Sequence, residues 1–399
     1  MNINDHSFAK TMHLNSTHAL PPTDLGEEPL IRYLNQILID AVLLGISDLH
    51  FEPYENSYRI RSRKDGILHE TARLPLKLAP RLTSRLKILS NLDISERRLP
   101  QDGRFKIDDI SELKGIDFRI SSCPTLFGEK IVIRILEFLS KKFNIDDLGL
   151  EGFQKELLLN HLQKPQGLIL VTGPTGSGKT RTLYSSINLL NSINRNIISC
   201  EDPIEIYLPG INQVNVNLKA GLTFANALRS FLRQDPDVIM IGEIRDLETA
   251  SIAIQAAQTG HLVLSTVHTN SAVETINRLL HMGIPPYQLA TSCSLVIAQR
   301  LIRLLCSHCK ITSLLPQQFS PNLEPNQCKH CKLGYSGRTA IYECMPISTE
   351  IQNLILNNAS VIELKHLAVK EGMWDLRRSA LHKVELGISS LEEVYRVVG

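Results

Sequence analysis

The chain has 399 residues, of which 43% are hydrophobic and 21% charged, as in an ordinary globular protein of two or three domains. Its 43 basic and 41 acidic residues give a formal net charge of +2, which argues against a polyelectrolyte partner such as nucleic acid. No apolar run reaches the roughly 18 residues of a membrane-spanning helix. The polar residues 1–24 also lack the apolar core of a signal peptide, so we expect a cytoplasmic protein.

Residues 27–137 are predicted to form a small α+β domain. Apolar residues recur at helical spacing over residues 27–44, and Gly45 follows as the expected end of that helix. A second helical pattern covers residues 74–92. Asp65-Gly66 is a hairpin turn signal. Short apolar or alternating runs predict three strands, at residues 58–61, 116–120 and 131–135.

After residue 148, short apolar runs alternate with helical patterns, which predicts a parallel sheet wrapped by helices. Thr223 is expected to cap one of these helices. The C-terminal region is predicted to be helical, with capping boxes at Ser360/Glu363 and Ser389/Glu392. The predicted strands of the sheet are residues 168–171, 196–200, 238–241 and 262–267.

The glycine-rich loop after the first of these strands carries the most specific motif. It fits the pattern G-x-x-x-x-G-K-[ST]. Glycines let consecutive N–H groups surround a polyphosphate, and the helix that follows directs its positive end at the anion. Lys179 can reach the terminal phosphates, and the Thr180 hydroxyl can ligate Mg²⁺. The predicted nucleotide-binding residues are Gly173, Pro174, Thr175, Gly176, Ser177, Gly178, Lys179 and Thr180.

Acidic residues and histidines follow other strands of the predicted sheet. Glu243 comes after the strand at residues 238–241, and Glu201 opens an acidic segment after the preceding strand. Carboxylates at the carboxyl edge of a parallel sheet can bind a metal and activate water. An incidental acid at a strand end is the alternative for both. His261 and His268 bracket the strand at residues 262–267 and are either satisfied polar residues or part of the site.

Four cysteines have the spacing of a metal site. Cys306, Cys309, Cys328 and Cys331 form two C-x₂-C pairs with 18 residues between them. Four thiolates suit a tetrahedral Zn²⁺ with no open position, which predicts a structural site. The alternatives are free core thiols or a degenerate site. The remaining cysteines are expected to be packing residues, namely Cys123, Cys200, Cys293 and Cys344.

Taken in order, these blocks resemble the secretion ATPases of type II secretion and type IV pilus assembly. The likeness covers residues 28–398. Besides the phosphate loop, the nucleotide boxes of that family are matched by residues 201–205, 235–246 and 259–270. The N-terminal side is matched by residues 47–53, 96–104 and 128–130.

The resemblance implies a two-lobed subunit that forms a hexamer, with ATP between the lobes. It also implies arginines that reach the phosphates, namely Arg104, Arg119, Arg229, Arg233, Arg245, Arg278 and Arg338. We expect a turn at Asp102-Gly103 to present the first of these, and the strand at residues 116–120 to fix the second. The predicted catalytic residues are Arg104, Arg119, Glu201, Glu243 and His268.

The function that this resemblance implies is a hexameric cytoplasmic ATPase motor that assembles pilin or pseudopilin filaments. Its expected partners are an inner-membrane platform protein and the cytoplasmic part of a membrane adaptor, and its expected cofactors are ATP, Mg²⁺ and Zn²⁺. One alternative is the motor of a DNA-uptake pseudopilus. Another is a nucleic-acid-binding zinc-ribbon NTPase, which the net charge of +2 disfavours.

The fold class expected is α/β, with a small α+β domain before a RecA-like P-loop domain that carries an inserted tetracysteine module and C-terminal helices. The expected segments are a flexible tail at residues 1–26, the α+β domain at 27–137, a linker at 138–147, the ATPase core at 148–299, the zinc module at 300–338 and the helical region at 339–399.

Overall fold

The computed structural model of the chain describes residues 27–136, 143–312, 319–320, 328, 331 and 334–399. It divides into two compact units, Met1–Lys141 and Lys142–Gly399, which are taken separately below. The predicted tail and residues 138–142 of the predicted linker lie outside the described residues, and the boundaries of the segments stay predictions. Within the described ranges, no helix is long and apolar enough to cross a bilayer.

The N-terminal unit is a six-stranded antiparallel sheet in the order β3-β2-β1-β6-β5-β4. Two helices, α1 (Glu27–Leu43) and α2 (Ala79–Leu89), share one apolar core with one face of this sheet. The strands are β1 (Asp48–Pro53), β2 (Tyr58–Lys64), β3 (Ile67–Leu74), β4 (Gln101–Lys106), β5 (Asp117–Thr125) and β6 (Gly128–Leu136).

Successive side chains along each strand point alternately into the core of this unit and toward the opposite, charged face of the sheet. Leu49 and Phe51 of β1 are buried in the core, so the residues that alternate with them along the strand project from the opposite face. Asp65 and Gly66 both have positive φ in the β2–β3 turn, as a two-residue hairpin requires. The three predicted strands correspond to parts of β2, β5 and β6, with the second prediction starting one residue before β5.

Two predictions in the N-terminal unit were wrong. The second helix is shorter than residues 74–92, because Leu74 completes β3 and a 3₁₀ turn precedes α2. The Asp102-Gly103 pair is no turn but lies inside β4. Gly103 serves a close approach there, because a Cβ would lie 2.8 Å from the carbonyl oxygen of Ser90.

The C-terminal unit is built on a seven-stranded sheet in the order β15-β12-β7-β11-β10-β8-β9. All neighbours in it pair in parallel except β15, which is antiparallel to β12. Its strands are β7 (Gly167–Thr172), β8 (Ile197–Glu201), β9 (Asn212–Asn215), β10 (Val238–Ile241), β11 (Leu262–Val267), β12 (Cys293–Leu305) and β15 (Tyr335–Pro346). The separate pair β13 (Ile311–Thr312) and β14 (Phe319–Ser320) lies between the last two in sequence.

Helices cover both faces of this sheet, and apolar cores fill both sides. The predicted fold class is therefore confirmed. The helices are α3 (Gly152–Leu162), α4 (Lys179–Leu190), α5 (Phe224–Phe231), α6 (Leu247–Gln258), α7 (Ala272–His281), α8 (Pro286–Ser292), α9 (Thr349–Leu356), α10 (Val361–Lys370), α11 (Leu376–Glu385) and α12 (Leu391–Val398).

The helix N-caps show where the local sequence was sufficient to predict the start of a helix. Thr223 caps α5 by accepting the N–H of Asn226, and Ser360 forms the predicted capping box of α10. The box at Ser389 was wrong by one residue, because Ser390 caps α12. The Ser389 hydroxyl instead donates to the carbonyl of Arg303, a contact that only the folded chain supplies.

Candidate active site

The predicted site residues of the C-terminal unit follow neighbouring parallel strands at one edge of the sheet. The phosphate loop follows β7, Glu243 lies two residues past β10, and His268 lies one residue past β11. Parallel α/β sheets bind their ligands at the carboxyl ends of their strands. The fold therefore brings these three predicted elements to one place.

The phosphate loop has a backbone that depends on glycine. Gly173, Gly176 and Gly178 have φ values of 147°, 79° and 91°, which side chains rarely allow. Helix α4 begins at Lys179 directly after the loop, so its N–H groups face the loop from the helix end. The Lys179 ammonium donates to the carbonyls of Gly173 at 2.8 Å and Pro174 at 3.1 Å. The predicted residues thus form one continuous anion-binding turn.

Charges around Lys179 set its ionisation. Burial lowers the pKa of this lysine. Of the charged neighbours, Glu243 raises that pKa, while Arg300 lowers it. Arg300 itself donates to both the backbone and side-chain oxygens of Asn270, at 3.0 and 3.2 Å. Sequence analysis had not assigned Arg300 to the site, because no motif indicates that β12 passes beside the phosphate loop.

Glu243 is the acid best placed for chemistry. Burial raises its pKa, but hydrogen bonds and charge from Arg245 and His268 outweigh that effect and hold the pKa below its usual range. The Nε2 atom of His268 lies 3.3 Å from a Glu243 carboxylate oxygen. Arg245 also lies 3.8 Å from Asp202, which joins the acidic segment after β8 to the same cluster. Glu243 is consequently a carboxylate at neutral pH, ready to accept a proton or ligate a cation.

Glu201 occupies a different environment. Its carboxylate is only 4% exposed and accepts hydrogen bonds from Tyr184, Ser199 and Gln213. These donors come from α4, β8 and β9, so the carboxylate joins three elements inside the unit. Its contacts are those of a structural acid, and its predicted catalytic role stays a prediction.

The predicted arginines are divided between the two units. Arg104 and Arg119 belong to the N-terminal unit, on β4 and β5, and their approach to phosphates stays a prediction. In the C-terminal unit, Arg245 contacts Glu243, whereas Arg229 pairs with Glu248 at 2.5 Å on an exposed surface.

The four predicted cysteines converge. Sγ atoms are 3.9 Å apart in the Cys306–Cys328 pair and 3.4 Å apart in the Cys309–Cys331 pair, and all four lie within 4.8 Å of one another. Thiolates around a tetrahedral ion with bonds of about 2.3 Å are separated by about 3.8 Å. The cluster therefore suits a metal such as zinc.

Comparison with known proteins identifies the family. The Type II/IV secretion system protein family matches residues 23–396. The chain belongs to that family. The resemblance seen in the sequence is thereby confirmed, and membership of this ATPase family implies a nucleotide as the ligand of the phosphate loop.

Individual relatives agree with this assignment. The chain is 55% identical over 395 residues to the type IV pilus assembly ATPase PilB of Pseudomonas aeruginosa, covering 96% of this chain and 70% of that one. It is 42% identical over 402 residues to the type II secretion system protein E of Aeromonas hydrophila, covering 98% of this chain and 79% of that one. Among solved structures, the pilus retraction motor PilT with bound ADP matches at 28% identity and a TM-score of 0.62, covering 90% of this chain and 95% of that one.

Proposed function

We propose that this chain is the ATPase motor of type IV pilus assembly, a hexamer that couples ATP hydrolysis to the addition of pilin subunits. The observation that carries the proposal is the phosphate loop with Glu243 and His268 at the same edge of the sheet. The choice of pilus over secretion follows the higher identity to the pilus assembly relative, 55% against 42%. A type II secretion motor or a DNA-uptake motor is the second candidate, because assembling pseudopilin filaments requires the same kind of ATPase.

The residues of the C-terminal unit divide the work between binding and chemistry. The loop N–H groups and the helix end bind the phosphates, and Lys179 adds a positive charge beside them. Thr180 and Glu243 would hold Mg²⁺, which neutralises charge on the phosphate oxygens. Glu243 is also placed to accept a proton from the attacking water, and His268 orients its carboxylate.

The N-terminal unit is proposed to complete this site. Arg104 and Arg119 would contact the phosphate oxygens as charge develops during phosphoryl transfer. This contact would form when an N-terminal unit closes on a C-terminal unit in the hexamer. The four cysteines would hold a structural Zn²⁺, because they leave no open position for a substrate. The proposed partners are an inner-membrane platform protein and the cytoplasmic part of a membrane adaptor, with no stable nucleic-acid binding. These partners would keep a cytoplasmic motor at the inner membrane.

Two experiments test this function. Lys179→Ala should abolish ATP hydrolysis by the purified protein with its melting temperature kept, since the lost charge faces the phosphates. Lys219→Ala removes an exposed lysine of the same unit and should hydrolyse normally. Unchanged turnover in Lys179→Ala would remove the phosphate-loop assignment. In the host, deletion of the gene should abolish pili while type II secretion continues normally. Loss of secretion with pili intact would favour the secretion motor.

A further inference from the structure

Gln299 lies where strand β12 passes the start of the phosphate loop. Ala298 is the register partner of Thr172, the last residue of β7, so Gln299 stands level with the first glycine of the loop. The side chain of Gln299 is polar, yet the residue is only 2% exposed. A polar residue this deeply buried needs partners for its amide group.

Two glycines of the loop lie against Gln299. A Cβ on Gly173 would lie 2.5 Å from the main-chain oxygen of Gln299. A Cβ on Gly178 would lie 2.8 Å from its side-chain nitrogen, Nε2. Both distances are too short for a real contact, so the loop can curl here only because it has no side chains facing β12. Gln299 thus packs against the loop at both its first and its last glycine.

The other end of the Gln299 amide is attached to helix α4. The Thr182 hydroxyl donates to Oε1 of Gln299 at 2.8 Å, and Thr182 is itself buried. The Thr182 N–H bonds in turn to the carbonyl of Gly178 at 3.2 Å. One side chain therefore connects the strand beneath the loop, the glycine at its end and the first turns of the helix.

We propose that Gln299 is a positioning residue for the phosphate loop, which fixes the loop N–H groups in the curvature that receives a nucleotide polyphosphate. The proposal rests on the proposed function of this loop. The side chain of Gln299 acts through Gly178 and Thr182, whereas the approach to Gly173 is made by its main-chain oxygen. Its effect therefore falls on nucleotide affinity, because Glu243 and His268 stay in place after other strands, β10 and β11.

The first test replaces the amide with an apolar group of similar size. In Gln299→Leu, the affinity for ADP and for a non-hydrolysable ATP analogue should fall about tenfold, which corresponds to one lost buried hydrogen bond and a looser loop. The KM for ATP should rise by a similar factor, with kcat changed less than about twofold. Ser186→Ala is the matched control, because Ser186 is a buried α4 hydroxyl that donates within its own helix, to the Thr182 carbonyl.

A double-mutant cycle with Thr182 separates positioning from loss of packing. Thr182→Val removes the hydroxyl that holds Oε1 and should weaken nucleotide binding less than Gln299→Leu does. The double variant should bind no more weakly than Gln299→Leu alone, since both changes break one connection. Additive losses would mean that Gln299 and the helix act independently, and the proposal would fail.

Gln299→Glu tests whether the residue acts on nucleotide binding and not only on stability. The carboxylate keeps an acceptor for Thr182 but places negative charge where Nε2 lies beneath Gly178. Nucleotide affinity should fall further than in Gln299→Leu, and this additional loss should persist in high salt because a charge at so buried a position is screened little.

Unchanged nucleotide affinity in both Gln299 variants, with melting temperatures within a few degrees of the wild type, would overturn the inference. A variant that fails to fold is replaced by Thr182→Val, which probes the same connection from the helix. If Lys179→Ala abolishes turnover while the Gln299 variants bind normally, only the role of Gln299 is lost. If Lys179→Ala hydrolyses ATP normally, the proposed function of the loop is rejected, and the inference about Gln299 is rejected with it.

Discussion

Arg104 of β4 lies directly opposite Arg119 of β5 across an antiparallel strand pair of the N-terminal unit. Residues opposite one another in such a pair project from the same face of the sheet. Two like charges at this spacing disfavour the pairing, so an anion beside them would stabilise it. The pairing gives a structural reason why two arginines distant in sequence would act on the same phosphate group.

Replacing both arginines tests this role. In Arg104→Ala combined with Arg119→Ala, nucleotide binding should persist, because the phosphate loop is intact, and turnover should fall at least about tenfold, a barrier increase of about 1.4 kcal/mol. Steady-state hydrolysis and a binding titration measure the two effects. Arg73→Ala, at an exposed position of β3 in the same sheet, is the matched control. Wild-type turnover in the double variant would assign the N-terminal unit a docking role only.

Glu243→Gln and Glu201→Gln should separate chemistry from structure. Glu243→Gln removes the carboxylate proposed to accept a proton, so nucleotide should bind while turnover falls at least about a hundredfold. Sequence analysis predicts slow turnover for Glu201→Gln as well. The three hydrogen bonds that Glu201 accepts inside the unit predict instead a lower melting temperature as the main effect. Normal hydrolysis in Glu243→Gln would remove that residue from the mechanism.

Metal content and stability test the cysteine cluster. Purified protein should contain about one Zn²⁺ per chain by elemental analysis, because the four Sγ atoms match a tetrahedral ion. Cys309→Ser should lose the metal and lower the melting temperature, since metal binding supplies folding energy to such a loop. Cys123→Ser, at an exposed cysteine of the other unit, should change neither. Metal-free protein with an unchanged, cooperative melt would exclude a structural metal.

The buried Glu52 of β1 predicts a pH-dependent stability of the N-terminal unit. Burial raises its pKa, but Arg61 and Lys130 outweigh this and lower it from 4.5 to about 2. Because the folded-state pKa is the lower one, the carboxylate contributes stability that is present above about pH 4.5 and lost as pH falls toward 2. At neutral pH, Glu52→Gln should reduce the free energy of unfolding by about 2–3 kcal/mol.

The measurement for Glu52 is a pair of urea titrations at several pH values. The difference between wild type and Glu52→Gln should shrink between pH 4.5 and 2. Glu70→Gln serves as a control, because Glu70 pairs with Arg73 on an exposed surface, where ion pairs contribute little. A difference that stays constant with pH would show that Glu52 acts by packing alone.

Much of the fold and the phosphate loop could be predicted from sequence, because both depend on local patterns. Glycines, Lys179 and an apolar strand before them are contiguous, and the helix periodicity around Leu34 and Leu38 is visible in any short window. The same holds for the cap at Thr223, whose partner is three residues away.

The features that the sequence could not predict involve residues whose partners are distant in the chain. Gly103 looked like a turn because nothing local shows that the carbonyl of Ser90 lies against it. The catalytic role predicted for Glu201 stays a prediction, but its burial by Tyr184 and Gln213 could not be predicted, because it depends on how α4 and β9 pack around β8. Gln299 could not be singled out for the same reason, since its proposed role comes from the register of β12 beside β7.

Strand β12 has a further consequence for how this gene can change. Gln299 stands beneath the phosphate loop and Cys306 immediately follows the strand, so a fixed count of six residues separates the two. The pairing of β12 with β15 shifts register between Arg303 and Leu305, so the positions of both residues depend on the exact residue count, and losing or gaining one codon there would move one of them away from its partners. Insertions and deletions are therefore expected between Cys309 and Cys328. A tag or reporter inserted there would leave the number of residues between Gln299 and Cys306 unchanged.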